Sequence, residues 1–427
     1  MNQPSFFHPD RDRLFNELHT RPFPMLATPV TISQVALLHQ GLDAESECQH
    51  ITGLCERHGI QPPVGGASCF YQDFGAFEFR WERHAEFSTY TFLSAASHPP
   101  FTATALQKVA ADWLRQLPRP VISGLHIEVV PPGTETSDRD SIRTLFEGHR
   151  LISSHVIDRA ARVWTAYRIH HDGFLRFLVV NEGLNPCQTG RLVRTLLELE
   201  TYRMMLLLGL PLAKTITPEL RAMENRLARM TRKIKSIEDL EDERELLAQL
   251  SDLSAQTEEL ISASNYRFNA CEAYHALIQG RLEELRETEQ NGMMTLGEFL
   301  SRRMQPAYRT CEAVSHNLDE LAERIDRTSE LLRTRVNLQI EAQNQQLLRS
   351  MDERSSMQLR LQQAVEGLSL VAITYYGVGL IKYLLDAATD VGVHFPKAAM
   401  LGSSVPILLL ISWVGIHSLK KSLRRRP

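Results

Sequence analysis

Two long apolar runs close together near the C-terminus constrain this chain more than any other feature. Residues 367–385 carry a single charge, Lys382, and residues 398–419 carry none. Each run is long enough, at 1.5 Å per helical residue, to cross about 28 Å or more, which is the thickness of a bilayer's hydrocarbon core. The polar link between them is short. The pattern predicts a hairpin of two transmembrane helices over 366–427, in contact with a lipid bilayer.

Basic residues flank this hairpin on the side away from the link. The second run is followed by Lys420, Lys421, Arg424, Arg425 and Arg426, and arginines also precede the first run. Positive flanks stay on the cytosolic side, so we expect both termini in the cytosol and the link outside. No apolar leader stands at the N-terminus, and the six cysteines lack paired spacing, so we expect reduced thiols and an inner-membrane protein.

The region before the hairpin, 216–365, is predicted to be a helical stalk. Apolar residues follow Thr217-Pro218 at spacings of three and four, and a similar row extends from Leu318 to Met351. Thr217-Pro218 itself resembles a helix start, and Asn185-Pro186 resembles another. Beyond Pro306 no breaker precedes Gly367, which predicts one helix over 307–385. Two interpretations stay open: packing within an antiparallel bundle, and self-association as a coiled coil that forms a homo-oligomer.

Residues 1–215 are predicted to form a cytosolic α+β domain. Alternating apolar and polar residues over 77–82 and 87–93 indicate one hairpin, and 162–169 with 174–180 indicate a second, turning at Asp172-Gly173. Residues 105–117 suggest a helix, and 121–130 a strand. The predicted fold class is therefore an α+β cytosolic domain, then a long-helix bundle or coiled-coil stalk, then a C-terminal two-helix transmembrane hairpin.

The sequence contains few residue patterns that indicate catalysis or ligand binding. Glu17, His19 and Arg21 form a compact cluster that could serve as an anion or partner site, although a terminal arm salt-bridged onto the domain is the favoured interpretation. His170-His171-Asp172 could ligate a metal, but neighbouring strand residues face opposite ways, which favours an ordinary turn. No nucleophile, phosphate-loop or zinc-protease motif is present. We therefore expect no cofactor and no catalysis, and the net charge of −4 argues against nucleic-acid binding.

Four runs carry a family resemblance: ELHTRPF at 17–23, the stretch 181–203 beginning NEGLNPCQTGRL, the stretch 332–369, and AITYYGVGL at 372–380. By these runs the chain resembles, over nearly its full length, an uncharacterised family of predicted membrane-anchored bacterial proteins of unknown function. The resemblance implies a cytosolic body with a C-terminal membrane hairpin, and no activity.

The order of parts also resembles CorA-type magnesium transporters, in which a long helix enters the membrane and two spans end the chain. Their Gly-Met-Asn signature is missing here, since the first run ends Leu384-Leu385-Asp386. If the chain did form a pore, Ser369, Thr374, Tyr375 and Tyr376 would be the candidates to line it. The function predicted first is a membrane-anchored oligomeric scaffold for a cytosolic partner. A divalent-cation channel and a membrane-tethered enzyme are the alternatives.

Overall fold

The computed structural model describes residues 7–8, 10–17, 23–39, 43–96, 99–118, 120–133, 139–237, 239–390 and 396–423. The chain divides into two compact units, each described by itself. The first comprises Met1–Ser236 and Ala248–Ser329, and the second comprises Ile237–Leu247 and Glu330–Pro427.

The first unit is built on a sheet of nine strands. In chain order they are β1 Val30–Leu38, β2 Cys69–Asp73, β3 Glu78–Arg83, β4 Phe87–Ala95, β5 Val121–Val130, β6 Ile152–Val156, β7 Ala161–Thr165, β8 Leu175–Asn181 and β9 Thr288–Glu289. The spatial order is β2-β3-β4-β1-β5-β8-β7-β6-β9. Both predicted hairpins are confirmed, as is the strand over 121–130, and Gly173 has the positive φ that its turn requires.

The sheet is mixed, which corrects the α+β class predicted for this domain. β1 pairs antiparallel with both β4 and β5, and β5 pairs parallel with β8, so a single sheet joins the two hairpins. Pairings between strands so far apart in sequence leave no trace in local periodicity. The N-terminal region is therefore an α/β region with a mixed sheet.

The helices are α1 Arg11–Glu17, α2 Ala44–His58, α3 Ala111–Arg115, α4 Arg139–Leu145, α5 Pro186–Leu207, α6 Gly209–Ile234, α7 Leu240–Leu285, α8 Leu296–Asp390 and α9 Lys397–Leu423. The helix expected over 105–117 is only a 3₁₀ turn, Ala105–Lys108, followed by the short α3. Val109 between them is extended, and the buried Trp113 donates from Nε1 to the His50 carbonyl 2.9 Å away.

Asn185 starts α5 as predicted, through a reciprocal capping box with Gln188. The start expected at Thr217-Pro218 is wrong, because Pro218 lies inside α6, which begins at Gly209. Thr217 donates its hydroxyl to the Ala213 carbonyl, 2.7 Å away, and the stripe that contains buried Ile216 and Leu220 holds the helix together across the proline.

The predicted long helix is confirmed and is longer than expected, since α8 begins at Leu296 and contains Pro306. The Thr295 hydroxyl accepts from the Glu298 N–H at 3.2 Å, which caps the start of this helix. Two helical stretches, Leu296–Ala388 and Lys397–Ser418, contain windows long and apolar enough to cross a bilayer, and only 6% of each window is buried.

Candidate functional site

A polar cavity of about 230 Å³ lies in the first unit, between α5 and the face of strands β1, β3 and β4. Its walls mix charged, aromatic and hydroxyl side chains. The lining residues are Phe23, Gln34, Glu82, His84, Phe87, Thr89, Arg194, Leu197, Glu198, Thr201 and Tyr202. We call this the Phe23 cavity.

The Phe23 cavity forms where two of the runs that carry the family resemblance meet. Phe23 ends the run at 17–23, and α5 belongs to the run at 181–203. The two are held together by the Leu26 N–H, which donates to the Pro186 carbonyl at 3.0 Å, and by the close approach of Pro24 to Gly190. A side chain at Gly190 would overlap the Pro24 carbonyl, so only glycine allows this contact.

Opposite charges are matched around the cavity. Glu198 Oε1 accepts from Arg194 Nε at 2.7 Å, and Glu198 Oε2 forms an ion pair with Arg281 Nε of α7, 2.5 Å away. Arg80 lies 2.7 Å from Glu82, and its guanidinium stands 4.9 Å from the centre of the Phe23 ring. Burial lowers the pKa of Arg80, although Glu82 opposes that change. Within each pair the arginine and the glutamate offset each other's charge. The cavity therefore offers fixed dipoles rather than a strong electrostatic field of one sign.

The cavity's reactive groups are few. Burial raises the pKa of Tyr202 to about 12, so this phenol stays protonated at neutral pH and can donate a hydrogen bond. The Thr201 hydroxyl is already committed to the Leu197 carbonyl at 3.0 Å and to Gln34 at 3.3 Å. His84 stacks on Phe87 with 4.5 Å between ring centres. Within the described lining there is no cysteine or lysine, and the geometry suits binding of a small polar group better than covalent catalysis.

The cluster predicted from sequence next to Phe23 is only partly described. Glu17 is the last residue of α1, and its side chain is not described. His19 and Arg21 lie outside the described residues. Their role as an anion or partner site therefore stays a prediction.

The four residues predicted to face a pore do not share one environment. Thr374 is buried and donates its hydroxyl to the Leu370 carbonyl at 2.8 Å, whereas Tyr375 and Tyr376 are exposed. Ser369 lines a groove of about 430 Å³ together with Ile416 of α9.

The side chains of the basic residues Lys420 and Lys421 are not described, and Arg424, Arg425 and Arg426 lie outside the described residues.

Helices α8 and α9 pack against each other. A Cβ placed on Gly377 would lie 3.1 Å from Leu408 Cδ1, so the Leu408 side chain packs closely on the α8 backbone there. At the link, Lys397 Nζ lies 3.1 Å from Asp386 Oδ1. These contacts make a helical hairpin of the two apolar segments.

Sequence reasoning missed the Phe23 cavity. The Arg194–Glu198 pair has the i,i+4 spacing that a sequence can show. Glu82, which also lines the cavity, and Arg281, which pairs with Glu198, come from elements distant in sequence. No local pattern connects them.

The fold and these sites define a class of protein: an α/β domain with a mixed sheet, followed by long helices that end in two apolar segments. Residues 7–423 match the family described as "Protein of unknown function (DUF3422)", and the chain belongs to that family. No curated protein matches the chain as a relative.

Proposed function

We propose that this protein is a membrane-anchored, non-catalytic scaffold that self-associates through α8 and presents its α/β domain to a cytosolic partner. The observation that supports it is a high density of exposed apolar side chains on α8 just ahead of the apolar window. These residues are Leu338, Leu347, Leu348, Met351, Met357, Leu359, Leu361 and Val365. Apolar surface of this extent on a helix is typical of an interaction face.

Four of these eight residues, Leu347, Met351, Leu361 and Val365, have the spacing of a two-stranded seam. With Leu347 at a d position, the d positions hold Ile340, Leu347, Arg354, Leu361 and Leu368, and the a positions hold Asn344, Met351, Gln358 and Val365. Six of the nine positions are apolar. A polar residue at an a position, such as Asn344, fixes register and strand number at some cost in stability.

The partner we propose for this face is a second copy of the chain. The seam continues directly into the apolar window, so two copies anchored in one bilayer present it at the same height and in parallel. Confinement in the membrane raises the effective concentration of one seam for the other, so even a seam interrupted by Arg354 and Gln358 can pair. Pairing would cover Leu347, Met351 and Leu361, which are exposed in the single chain.

The orientation we propose follows the distribution of basic residues. Lys420, Lys421 and the three terminal arginines hold the C-terminus in the cytosol, and the α/β domain lies on the same side. A cysteine introduced at Ala399, at the link end of α9, should then react with an impermeant maleimide added to intact cells. A cysteine at Gln363, at the opposite end of the first span, should react only after permeabilisation. The reverse pattern would overturn this topology.

Disulfide crosslinking in native membranes tests the association. Leu361→Cys is placed in a Cys187→Ser background, because Cys187 is the exposed native cysteine in the described chain. The matched control is Gln363→Cys, two residues away, exposed and at an f position. We expect a crosslinked dimer from Leu361→Cys and little from Gln363→Cys. Equal crosslinking of both, or of neither, would overturn the proposal.

The two alternative functions find less support. At the proposed outer mouth Asp386 is paired with Lys397, which reduces the negative charge available to attract cations. Cation flux above that of empty liposomes, from reconstituted protein, would favour the channel. For an enzyme, the Phe23 cavity lacks an activated nucleophile in its described lining.

A further inference from the structure

We propose that the first unit holds a transition-metal ion, with Zn²⁺ as the favoured ion, through Glu147, His149 and His170. A carboxylate oxygen and one ring nitrogen from each histidine lie within 4.8 Å of one another, which is the spacing of ligands around one ion. The three residues come from two loops. Glu147 and His149 follow α4, and His170 lies in the turn between β7 and β8.

Backbone contacts fix the first loop. Glu147 and Gly148 both have positive φ, and the Gly148 N–H donates to the Arg143 carbonyl at 2.9 Å. The Arg143 side chain returns a bond from Nε to the Gly148 carbonyl at 2.8 Å. This tight reversal places Glu147 and His149 on the same side of the loop. A non-glycine residue at positive φ is uncommon and often marks a functional position.

The second loop supplies a buried histidine whose Nε2 has no polar partner among the described residues. The His170 side chain has no exposed surface, and neither ring nitrogen makes a hydrogen bond within the described part of the chain. Its Nδ1 lies 3.3 Å from Glu147 Oε2, and Phe146 and His149 stand beside the ring. Buried polar groups are nearly always satisfied, so this imidazole can take one further partner, which a metal ion would supply.

The two oxygens of Glu147 have different surroundings. Oε1 accepts from the His171 ring and lies 3.7 Å from Arg176 Nη2, whereas Oε2 faces His170. The charge of Arg176 is itself offset by Asp172, 2.7 Å away. Oε2 therefore remains for a metal, while Oε1 takes the outer hydrogen bonds that orient a ligating carboxylate.

The donor set selects the ion. Two imidazoles and one carboxylate suit Zn²⁺, and suit Mg²⁺ or Ca²⁺ poorly, because those ions prefer oxygen ligands only. Three protein ligands leave a fourth position for water or for a group on a bound molecule. Since Glu147 is exposed, the ion has a route in from solvent.

The test uses the full-length protein in detergent, stripped of metal and titrated with Zn²⁺ against a chromophoric chelator. We expect one equivalent to bind, and Glu147→Gln and His149→Gln each to weaken binding at least about 100-fold. The matched control, His171→Ala, removes an outer hydrogen bond to Glu147 and should weaken binding by about tenfold, the lower end of what loss of such a bond costs. Glu147 is exposed and His149 is half-buried, so we expect both glutamine variants to fold. They therefore test the site even if a third variant, His170→Ala at the buried position, does not fold.

Cobalt gives a second readout that does not depend on affinity. Co²⁺ bound to these three ligands should show visible absorption bands, which Glu147→Gln and His149→Gln should abolish. Failure to bind an equivalent of Zn²⁺, or equal binding by the wild type and both glutamine variants, would overturn the proposal. This result is independent of crosslinking through α8, so the two proposals stand or fall separately.

Discussion

Gly190 of α5 packs directly on the Pro24 carbonyl, and the contact joins the N-terminal segment to the helix that covers the sheet. Gly190→Ala should force these elements apart, because the added Cβ would overlap a backbone oxygen that cannot turn aside. We expect a loss of about 1–3 kcal/mol in unfolding free energy, seen as a lower melting temperature of the detergent-purified protein.

The control for this change is Gly53→Ala. Gly53 is also helical, in α2, and a Cβ there meets nothing within 4 Å. Alanine should be neutral or slightly stabilising at that position, since glycine is a poor helix former. Equal melting temperatures for the two variants would contradict the packing argument.

Glu128 should make the stability of the first unit depend on pH. It is 2% exposed, accepts from Thr31 Oγ1 at 2.6 Å, and burial raises its pKa to about 7 from 4.5. Its protonated form therefore favours the folded state. The contribution is complete below about pH 4.5 and is lost as the pH rises through 7. Glu128→Gln should raise stability at pH 8 by up to about 3 kcal/mol and change it little at pH 4.5.

Thermal unfolding at the two pH values measures this difference. Glu45→Gln, at an exposed position, is the control and should change the free energy of unfolding by no more than about 1 kcal/mol at either pH. If Glu128→Gln shifted the melting temperature equally at both pH values, the ionisation of Glu128 would not be the cause.

Two arginine–carboxylate ion pairs of the same length should contribute very different amounts to the free energy of unfolding. Arg83 lies 2.7 Å from Glu47, which is completely buried and also accepts from Ser88 at 2.8 Å. Arg57 lies 2.7 Å from Asp112 at the surface. Arg83→Met should lower the free energy of unfolding by about 3–5 kcal/mol, because it leaves the buried Glu47 carboxylate without its cation. Arg57→Met should change the free energy of unfolding little, because that pair is exposed to solvent. Chemical denaturation in detergent compares them, and similar costs would refute the distinction.

The hairpin of α8 and α9 can be tested at two glycines of the same segment. Gly377→Val should loosen the hairpin, because its side chain would press on Leu408, and should lower thermal stability by about 1–3 kcal/mol. Gly379 has open space around it, so Gly379→Val should have little effect. Fluorescence-detected size-exclusion chromatography after heating measures both, and a larger effect at Gly379 would contradict the packing described.

The sequence predicts those elements whose signals are local. The strand over 121–130 and the capped start of α5 at Asn185 are confirmed because alternation and capping residues act over a few positions. Thr217-Pro218 misled the prediction because a proline is tolerated inside a helix when tertiary packing holds both sides. The apolar windows near the C-terminus are equally local, and the two helices that contain them are present.

The long-range features could not be predicted in this way. The parallel pairing of β5 with β8 decides that the sheet is mixed, yet it links residues about fifty positions apart. The same holds for the candidate sites. The sequence groups His170 with its neighbours His171 and Asp172 as a possible metal site. In the structure its partners are Glu147 and His149, which come from another loop.

The position of the small strand β9 in the chain affects how the sheet folds during translation. It covers part of the β6 edge through Thr288 and Glu289, and Ser154 there also accepts from the Leu296 N–H at 3.0 Å. These residues leave the ribosome well after the rest of the sheet, by several seconds at about 5–20 residues per second. During that interval a nascent chain carries an open strand edge, a recognised starting point for wrong pairing. A chaperone that attends this chain during translation should therefore act before residue 296 emerges.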